Sequence, residues 1–372
     1  MGNQSLLERY SEHDRSYYRI KCDAKSLFTG NAEEIREKCL CFMNLHYEKG
    51  KKEQLLDNDL YDKYEHHGKH THSASLYLLG MELLPLFRQC LCEALSEFVP
   101  NFSSWGGGGA DPLYIWFLPA MYHDFASCAE LGTIHANDSD SHRSLQFHLG
   151  NHNILYSPYR HFPYKAENIP FRFSPELIEN YFYYRACQGR CEHGIIAGYL
   201  FFDRFVKNYL KACPNAVPDE NGDVKRNGLN WNVGHLTFAA YAADAIICHN
   251  IWLGGNAEKD KYMQFGLSPL LYKEHPENKL SIEKYPLQFM LCLLDTIEPI
   301  KRFEDSLSPT KILMGIGLDF DVADRTLSLS WNNEIKKKKG VKKWRDGIVA
   351  MRDWMCVDVE EKENENGVMI GF

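Results

Sequence analysis

Apolar residues recur every three or four positions along most of this chain, from about residue 8 to residue 310. This spacing puts them on one face of a helix, and strictly alternating runs are scarce in the same part of the chain. The long segment HTHSASLYLLGMELLPLFRQCLCEALSEF is predicted to be helical, with Pro85 kinking or restarting the helix. Further helices are predicted over 174–187, 192–211, 235–253 and 286–304. The pattern favours a mainly α-helical body.

The pattern changes after Thr310. KILMGIGLDFD and TLSLSW are predicted to be strands, GVKKWRDGIVAMRDWM a helix and GVMIGF a final strand. We therefore divide the chain into an N-terminal helical segment, a helical domain and a small α+β appendage, over 1–45, 46–310 and 311–372. The lysine run 336–339 falls in a predicted turn, where a solvated loop is favoured over a nucleic-acid contact.

Loops are predicted at four polar or glycine-rich segments. They are SSWGGGGADP, the stretch 129–172, PNAVPDENGDVKRNG and YKEHPENK.

The composition excludes several classes of protein. The 372 residues are 44% hydrophobic, enough for a sizeable core, and the net charge of −8 gives no basic footprint for duplex nucleic acid. No stretch has the length and apolar character of a membrane helix, and the polar start of the chain lacks the apolar stretch of a signal peptide. We expect a cytoplasmic protein without a membrane partner, and an oligomer is left open.

The cysteines do not form a recognisable disulfide or zinc framework. Several of the twelve lie inside apolar, predicted helical segments, which favours buried free thiols. CQGRC, with Cys187 and Cys191, lacks the second cysteine pair that would complete a zinc site.

Ionisable residues interrupt the apolar pattern at unexpected places. The run YIWFLPAMY ends at His123 and Asp124, and burying such side chains is costly unless they are paired or bind a cation. A second His-Asp pair, His13-Asp14, has polar surroundings. The first pair is therefore expected to face the interior or a cleft, and the second to face water.

Four other ionisable residues share this position on an apolar face or at the end of a hydrophobic helix: His72, His193, His249 and Asp295. Taken singly, a buried histidine is more often a hydrogen-bonded core residue than a ligand. Together with His123 and Asp124, however, they would bury four imidazoles and two carboxylates, each at a cost of several kcal/mol. Shared cations remove that cost, so the set favours a metal centre.

These segments, in their order along the chain, resemble the motifs of a known superfamily. THSASLYLLG, FLPAMYHDFAS, EHGIIAGYLF, AIICHNIW and LLDTIEP are similar to the successive motifs of the HD superfamily of metal-dependent phosphohydrolases and phosphodiesterases. The resemblance covers residues 60–305 and implies an HD-type helical bundle.

The resemblance also implies a ligand set. One metal would be held by His72, His123, Asp124 and Asp295, and Asp124 would bridge to a second metal held by His193 and His249. One or two divalent ions are expected, with Mn, Fe, Zn or Mg all compatible with nitrogen and oxygen ligands. Such a centre activates water for attack on a phosphoester. The implied substrate is a small-molecule phosphoester, a nucleotide or cyclic nucleotide.

Other side chains close to these ligands in sequence are candidates for supporting roles. They are Asp124, Arg190 and His70 for catalysis, and Lys69, Arg185 and Ser127 for substrate binding, with His66 and His67 as further neighbours.

The chain departs from the family pattern in two motifs. Many members have a lysine three positions after the HD aspartate, where this chain has Ser127. Some have paired histidines where it has His249-Asn250, which puts a third metal and a cyclic-dinucleotide substrate in doubt. The histidine-rich insertion 129–172 is interpreted as either a lid or a stabilising surface elaboration. Two alternatives to hydrolysis stay open: an HD-fold di-iron oxygenase, and a catalytically inactive, metal-stabilised regulatory module.

Overall fold

The fold is that of a computed structural model. It describes residues 4–12, 23–49, 69–98, 113–126, 143–160, 168–212, 224–226, 229–231, 233–252, 259–303, 306–362 and 366–372. The segment SSWGGGGADP, the pair His13-Asp14, and Ser127, His66 and His67 lie outside the described residues.

Helices make up most of the described chain, which confirms the mainly α-helical class. In order they are α1 (Leu6–Glu12), α2 (Ala24–Leu27), α3 (Ala32–Lys49), α4 (His70–Phe98), α5 (Leu113–Tyr122), α6 (Arg143–Asn151), α7 (Pro175–Cys187), α8 (His193–Ala212), α9 (Val233–Cys248), α10 (Lys259–Gln264), α11 (Pro286–Ile297), α12 (Ile300–Phe303), α13 (Pro309–Gly315), α14 (Asn333–Lys336) and α15 (Lys339–Ala350). Within the described part of the chain, no helix combines the length and hydropathy that crossing a bilayer requires.

Strands form two small sheets. They are β1 (Val224–Arg226), β2 (Leu229–Trp231), β3 (Ile316–Asp321), β4 (Thr326–Trp331), β5 (Asp358–Glu361) and β6 (Gly367–Gly371). β1 and β2 form an antiparallel pair, and the other four form an antiparallel sheet in the order β3-β4-β6-β5. In β4 the buried positions alternate along TLSLSW, so one face of this sheet joins the core.

Helix α4 lies at the centre of the body. Every residue from 70 to 84 is buried, and the helix packs against α3, α5 and α11. A helix that is buried on all sides must be surrounded by other elements, as this one is. Pro85 is exposed and lies inside α4, so of the two predicted alternatives, a kink or a restart, the helix does not restart at this residue.

The C-terminal sheet is joined to the body by elements from both ends of the chain. Arg9 of α1 pairs with Glu82 of α4 (2.7 Å) and with Asp319 of β3 (3.4 Å). The ring of Phe372 stacks on that of Phe87 in α4, with centroids 5.6 Å apart and planes inclined by 10°. The buried apolar residues form a continuous cluster from α1 to β6.

The structure corrects several predicted elements in and around the appendage. KILMG belongs to helix α13, and the strand begins only at Ile316, because Pro309 at the first turn favours a helix start. Strand β5 was missed. Three of the predicted loops contain regular structure: PNAVPDENGDVKRNG includes β1, the stretch 129–172 includes α6, and YKEHPENK includes a short 3-10 helix, Pro276–Asn278.

The helix predicted over 286–304 is interrupted. It ends at Ile297 and a new helix begins at Ile300, with Glu298 in an extended conformation (φ −61°, ψ 121°). Pro299 explains the interruption, because the residue before a proline is disfavoured in the helical region. This interruption brings Glu298 next to His72, one of the predicted metal ligands.

Candidate metal centre

The six predicted ligands come together where five helices meet. Each lies near the end of its helix: His72 in the first turn of α4, His123 and Asp124 directly after α5, His193 at the start of α8, His249 directly after α9, and Asp295 in the last turn of α11. His72, His123, Asp124 and His249 are buried, and His193 and Asp295 are only slightly exposed.

The first half of the cluster contains two histidines and two carboxylates. His72 Nε2 lies 3.2 Å from His123 Nε2 and 3.1 Å from Asp295 Oδ1. His123 Nε2 is 3.6 Å from the same Asp295 oxygen. Asp124 Oδ2 is 3.8 Å from His72 Nε2 and 3.7 Å from His123 Nε2.

The second half uses the other oxygen of Asp124. Asp124 Oδ1 lies 3.0 Å from His193 Nε2. One ligand atom each from Asp124, His193 and His249 lies within 4.8 Å of the other two, and the same holds for His72, His123 and Asp124. The two groups therefore share Asp124, and each of its oxygens faces a different group. Either group could hold a metal ion.

Three of the histidines are oriented by hydrogen bonds from Nδ1. The acceptors are Glu298 Oε2 for His72 (2.6 Å), the carbonyl of Ala120 for His123 (3.1 Å) and the carbonyl of Ile246 for His249 (2.6 Å). A carbonyl or an ionised carboxylate can only accept, so each Nδ1 carries the hydrogen and each neutral ring presents a lone pair at Nε2.

This arrangement fits a bound cation. In the neutral rings, the Nε2 lone pairs of His72 and His123 face each other at 3.2 Å, beside an oxygen of Asp295. Converging lone pairs repel unless a proton or a metal lies between them. Glu298, which is fully buried, also accepts the backbone N–H of Ile300 (3.0 Å), so it is itself held in place. Such a carboxylate–histidine pair is typical of the surroundings of protein metal sites.

At Asp124, His249 and Asp295 the surrounding charges and burial favour the protonation state that binds a metal. Burial raises the pKa of Asp124, but the imidazoles of His123 and His193 and the ammonium of Lys69 outweigh it and hold that pKa well below its usual range. Burial, with the neighbouring His193 and His123, lowers the pKa of His249 to about 3.

Asp295 behaves like Asp124. Burial raises its pKa, but Lys301, His123 and His72 outweigh burial and hold the pKa well below its usual range. For His72, burial and Lys301 lower the pKa, yet Glu298 and Asp295 outweigh them and raise it. A proton therefore competes with a metal most strongly at His72.

Two lysines lie against the ligand carboxylates. Lys301 Nζ contacts Asp295 Oδ1, and Lys69 Nζ lies 3.6 Å from Asp124 Oδ2. Sequence reasoning placed Lys69 among the substrate-binding candidates but missed both Lys301 and Glu298. The signal that could have found them is Pro299, which ends the helix and turns the chain back toward the cluster.

The other predicted site residues have different positions. Arg185 is paired with the buried Glu192 through Nε and Oε2 (3.1 Å). Arg190 is exposed, and its backbone N–H donates to the carbonyl of Arg185 (3.1 Å). His70 is buried at the first residue of α4.

Asn250, the departure noted beside His249, contacts the second half of the cluster. Its Nδ2 lies 3.0 Å from His193 Nε2. The backbone carbonyl of Asn250 accepts from the hydroxyl of Tyr181 (2.9 Å), which also lies 3.2 Å from the backbone carbonyl of Trp252. The amide therefore helps to orient the ring of His193.

A glycine permits α8 to approach α9 at this point. A Cβ at Gly194 would lie 2.7 Å from His249 Cε1 and 3.1 Å from the carbonyl of Ile246, which accepts the His249 Nδ1 hydrogen bond. Only glycine leaves room for the ring of His249 here.

The described histidines of the insertion contact a different group of residues. His148, on α6, lies 3.5 Å from Cys191 Sγ through Nε2 and contacts the rings of His152 and Phe182. Burial and the neighbouring His152 lower the pKa of His148 to about 4. This part of the insertion therefore packs beside α7 with a neutral histidine, while His135, His142 and His161 lie outside the described residues.

Comparisons with models of protein families, with curated proteins and with solved structures find no match to this chain. What the site can do chemically therefore follows from its own residues.

Proposed function

We propose that this chain is an HD-type, metal-dependent phosphohydrolase or phosphodiesterase. The observation that carries the proposal is the position of the Asp124 carboxylate, whose two oxygens face two separate groups of histidines. A carboxylate shared in this way suits a centre of two cations, which is common among enzymes that hydrolyse phosphoesters.

The chain's own side chains fit both metal positions. His72, His123, Asp124 and Asp295 would hold one ion, and Asp124, His193 and His249 the other. Bound cations of this kind lower the pKa of water and polarise phosphate oxygens. Nitrogen and oxygen ligands without thiolates suit Mn, Fe, Zn or Mg.

Exposure indicates the side from which a substrate would enter. Among the ligand histidines, the His193 side chain is 12% exposed, whereas those of His72 and His123 are at most 1% exposed. The Lys69 side chain, beside Asp124, is 35% exposed. We infer that the substrate approaches between His193 and Lys69.

Lys69 would bind the phosphate group during this approach. Its ammonium is close to the shared carboxylate and partly in contact with solvent, so it can exchange its interaction with Asp124 for one with a phosphate oxygen. Arg185 is less suited to this role because it is already paired with Glu192. A nucleotide or cyclic nucleotide is the substrate class that the family resemblance implies.

The test is hydrolysis by protein of defined metal content. Purified protein is stripped with a chelator, reloaded with Mn, and incubated with nucleoside mono-, di- and triphosphates and with cyclic nucleotides, while phosphate and nucleotide products are measured. Product formation is expected in the loaded protein only. Asp124→Ala should abolish both turnover and metal loading, whereas Asp14→Ala, at the other His-Asp pair, should retain both.

Other outcomes would replace the proposal. Iron in both positions, with a mixed-valence electron paramagnetic resonance signal and oxygen consumption, would identify the oxygenase alternative. Bound metal without turnover of any substrate in any metal form would identify a regulatory module.

A further inference from the structure

Lys301, on the short helix α12, has its ammonium group at an oxygen of a candidate metal ligand. Its Nζ contacts Asp295 Oδ1, the same atom that lies 3.1 Å from His72 Nε2 and 3.6 Å from His123 Nε2. These three ligand atoms belong to the first half of the cluster. A phosphate group bound to a cation in this half would therefore lie near the ammonium of Lys301.

Lys69 has the corresponding position at the other carboxylate of the same half. Its Nζ is 3.6 Å from Asp124 Oδ2, the oxygen of Asp124 that faces His72 and His123. Lys69 directly precedes α4, whereas Lys301 belongs to α12, so the two lysines come from different elements. Two positively charged side chains therefore flank one candidate metal position.

The backbone of Lys301 is held in place, while its ammonium keeps donors for another partner. Glu298 Oε2 accepts the backbone N–H of Lys301 (3.4 Å) as well as the Nδ1 hydrogen of His72, so the start of α12 is tied to a ligand ring. Among the described residues, Asp295 is the only one that pairs with the ammonium. An ammonium has three N–H donors, and the Lys301 side chain is 15% exposed. At least one donor is therefore available to an oxygen of a bound substrate.

The charges around the first half distinguish between two classes of phosphoester. A terminal phosphate carries about two negative charges and offers three acceptor oxygens, whereas a diester carries a single charge and has only two oxygens outside its ester bonds. With divalent ions in both halves, the ions and the two lysines outweigh the carboxylates of Asp124, Asp295 and Glu298. A dianion balances this excess better than a monoanion does, and its additional oxygen gives the second lysine an acceptor.

We infer that Lys301 and Lys69 together bind a terminal phosphate group at the first half of the cluster. The substrate is then a phosphomonoester or the end of a polyphosphate chain, and not a diester. This inference rests on the proposed function, because it names the substrate class of the same site, and it excludes the cyclic nucleotides. Charge-assisted hydrogen bonds from both ammonium groups would hold the phosphate.

The test compares two probes that are not turned over: inorganic phosphate, in place of a terminal phosphate, and dimethyl phosphate, in place of a diester. The full chain is stripped with a chelator, reloaded with Mn and freed of excess metal. Isothermal titration calorimetry is then performed at mildly alkaline pH, where inorganic phosphate is a dianion. Phosphate should bind more tightly than dimethyl phosphate by about tenfold or more, and Lys301→Met should weaken phosphate binding by a similar factor, since a hydrogen bond between charged groups is lost.

Metal binding is measured on the same variants, so that a loss of phosphate binding can be separated from a loss of metal. In dye competition, Lys301→Met should bind Mn at least as tightly as the wild-type chain, because a neighbouring positive charge is removed. Lys301→Arg, which keeps the charge, should retain most of the phosphate affinity. Lys311→Met, at an exposed lysine of α13 paired with Glu334 (3.7 Å), is the matched control and should change neither affinity.

Lys69→Gln tests the inference even if Lys301→Met does not fold, because it should also weaken phosphate binding. The inference is overturned if dimethyl phosphate binds as tightly as phosphate, if either lysine variant folds and binds phosphate as tightly as wild type, or if the wild-type chain binds neither probe.

The proposed function can fail separately. A chain that binds phosphate through both lysines but hydrolyses no phosphoester would contradict the function and support the recognition of a terminal phosphate. A chain that cleaves cyclic nucleotides and no monoester would support the function and overturn this inference.

Discussion

At the scale of single residues, Glu298 decides how well His72 can bind a metal. Its carboxylate accepts the Nδ1 hydrogen of His72 at 2.6 Å and is completely buried. Glu298→Gln replaces this charged acceptor by a neutral amide, which holds the ring less firmly and makes it a weaker ligand. We expect affinity for the metal at His72 to fall by about 10- to 100-fold, as is usual when such a partner is lost.

The measurement is a competition titration against a chelating dye, with metal content checked by mass spectrometry. Glu97→Gln, at an exposed residue of α4, the helix that contains His72, is the matched control and should leave the affinity unchanged. Equal affinities in all three proteins would show that Glu298 does not support a metal ligand.

Gly194 leads to a second prediction, for the other half of the cluster. Gly194→Ala places a methyl group 2.7 Å from His249 Cε1, so the ring must move away from His193 and Asp124. We expect loss of the metal at this half with retention of the one at His72. Gly347→Ala, in helix α15 with nothing within 4 Å, should bind metal normally and unfold at the same or a higher urea concentration. Unchanged binding of both metals in Gly194→Ala would mean that the position of His249 is unimportant.

Sequence reasoning reached the histidines and aspartates of the cluster for a clear physical reason. A polar residue such as His249, at the end of an otherwise apolar helix, conflicts with its surroundings. This conflict can be recognised from the amino-acid sequence alone. Glu298 and Lys301 give no such signal, because they follow the apolar run and are brought back only by the turn at Pro299. The sequence therefore indicated the candidate ligands but not the groups that orient and neutralise them.

At the scale of elements, the long periodic helices were the most predictable part. α7 and α8 begin within one residue of the predicted starts, since Ser174 and the apolar run after His193 mark them. Short elements were less predictable. The loop predicted over PNAVPDENGDVKRNG overlaps the β1–β2 pair, although the sequence has Asn-Gly at 227–228, a common hairpin signal. KILMG was mistaken for a strand because a short apolar run has no clear period.

Two stacked tryptophans connect the appendage to the segment that contains Asn250. Trp252, two residues after Asn250, stacks on Trp354 with centroids 5.5 Å apart and planes inclined by 10°. We predict that Trp252→Ala weakens metal binding at the His193 and His249 half by several-fold, because the segment that positions Asn250 loses its support. Met314→Ala, which also removes an exposed apolar side chain, should have no effect on the metal. Dye competition on both variants decides the matter, and identical affinities would rule out this coupling.

At the scale of the whole molecule, charge and burial are balanced around the cluster. Asp124, Asp295 and Glu298 are carboxylates that share one buried region, and Lys69 and Lys301 contact two of them. Without a metal, the lysines supply part of the compensating positive charge, so the fold does not require the metal to keep the carboxylates ionised. A metal must compete with these ammonium groups, which couples metal affinity to how tightly α12 is packed.

The same balance makes the stability of the metal-free protein depend on pH. His249 and His148 have pKa values lowered to about 3 and about 4, so the folded chain keeps them neutral, whereas in the unfolded chain they take up protons below about 6.5. The unfolded state then binds more protons than the folded state, and stability falls as the pH drops from 6.5 toward 4. His72, with its raised pKa, acts in the opposite sense, since its contribution is present below about 6.5 and lost as the pH rises above that value.

We therefore predict that the free energy of unfolding, measured by urea titration in a chelator, is lower at pH 5 than at pH 7. His249 alone contributes a loss of about 2 kcal/mol, and the half-buried His148 contributes less because solvent screens it. His148→Gln should reduce the difference between the two pH values, because glutamine cannot take up a proton. Saturating metal should enlarge the difference, since the metal favours the folded state at pH 7 while protons displace it from His72 at pH 5. A difference between pH 5 and pH 7 that is the same in His148→Gln as in the wild-type chain would contradict the neutral state assigned to His148.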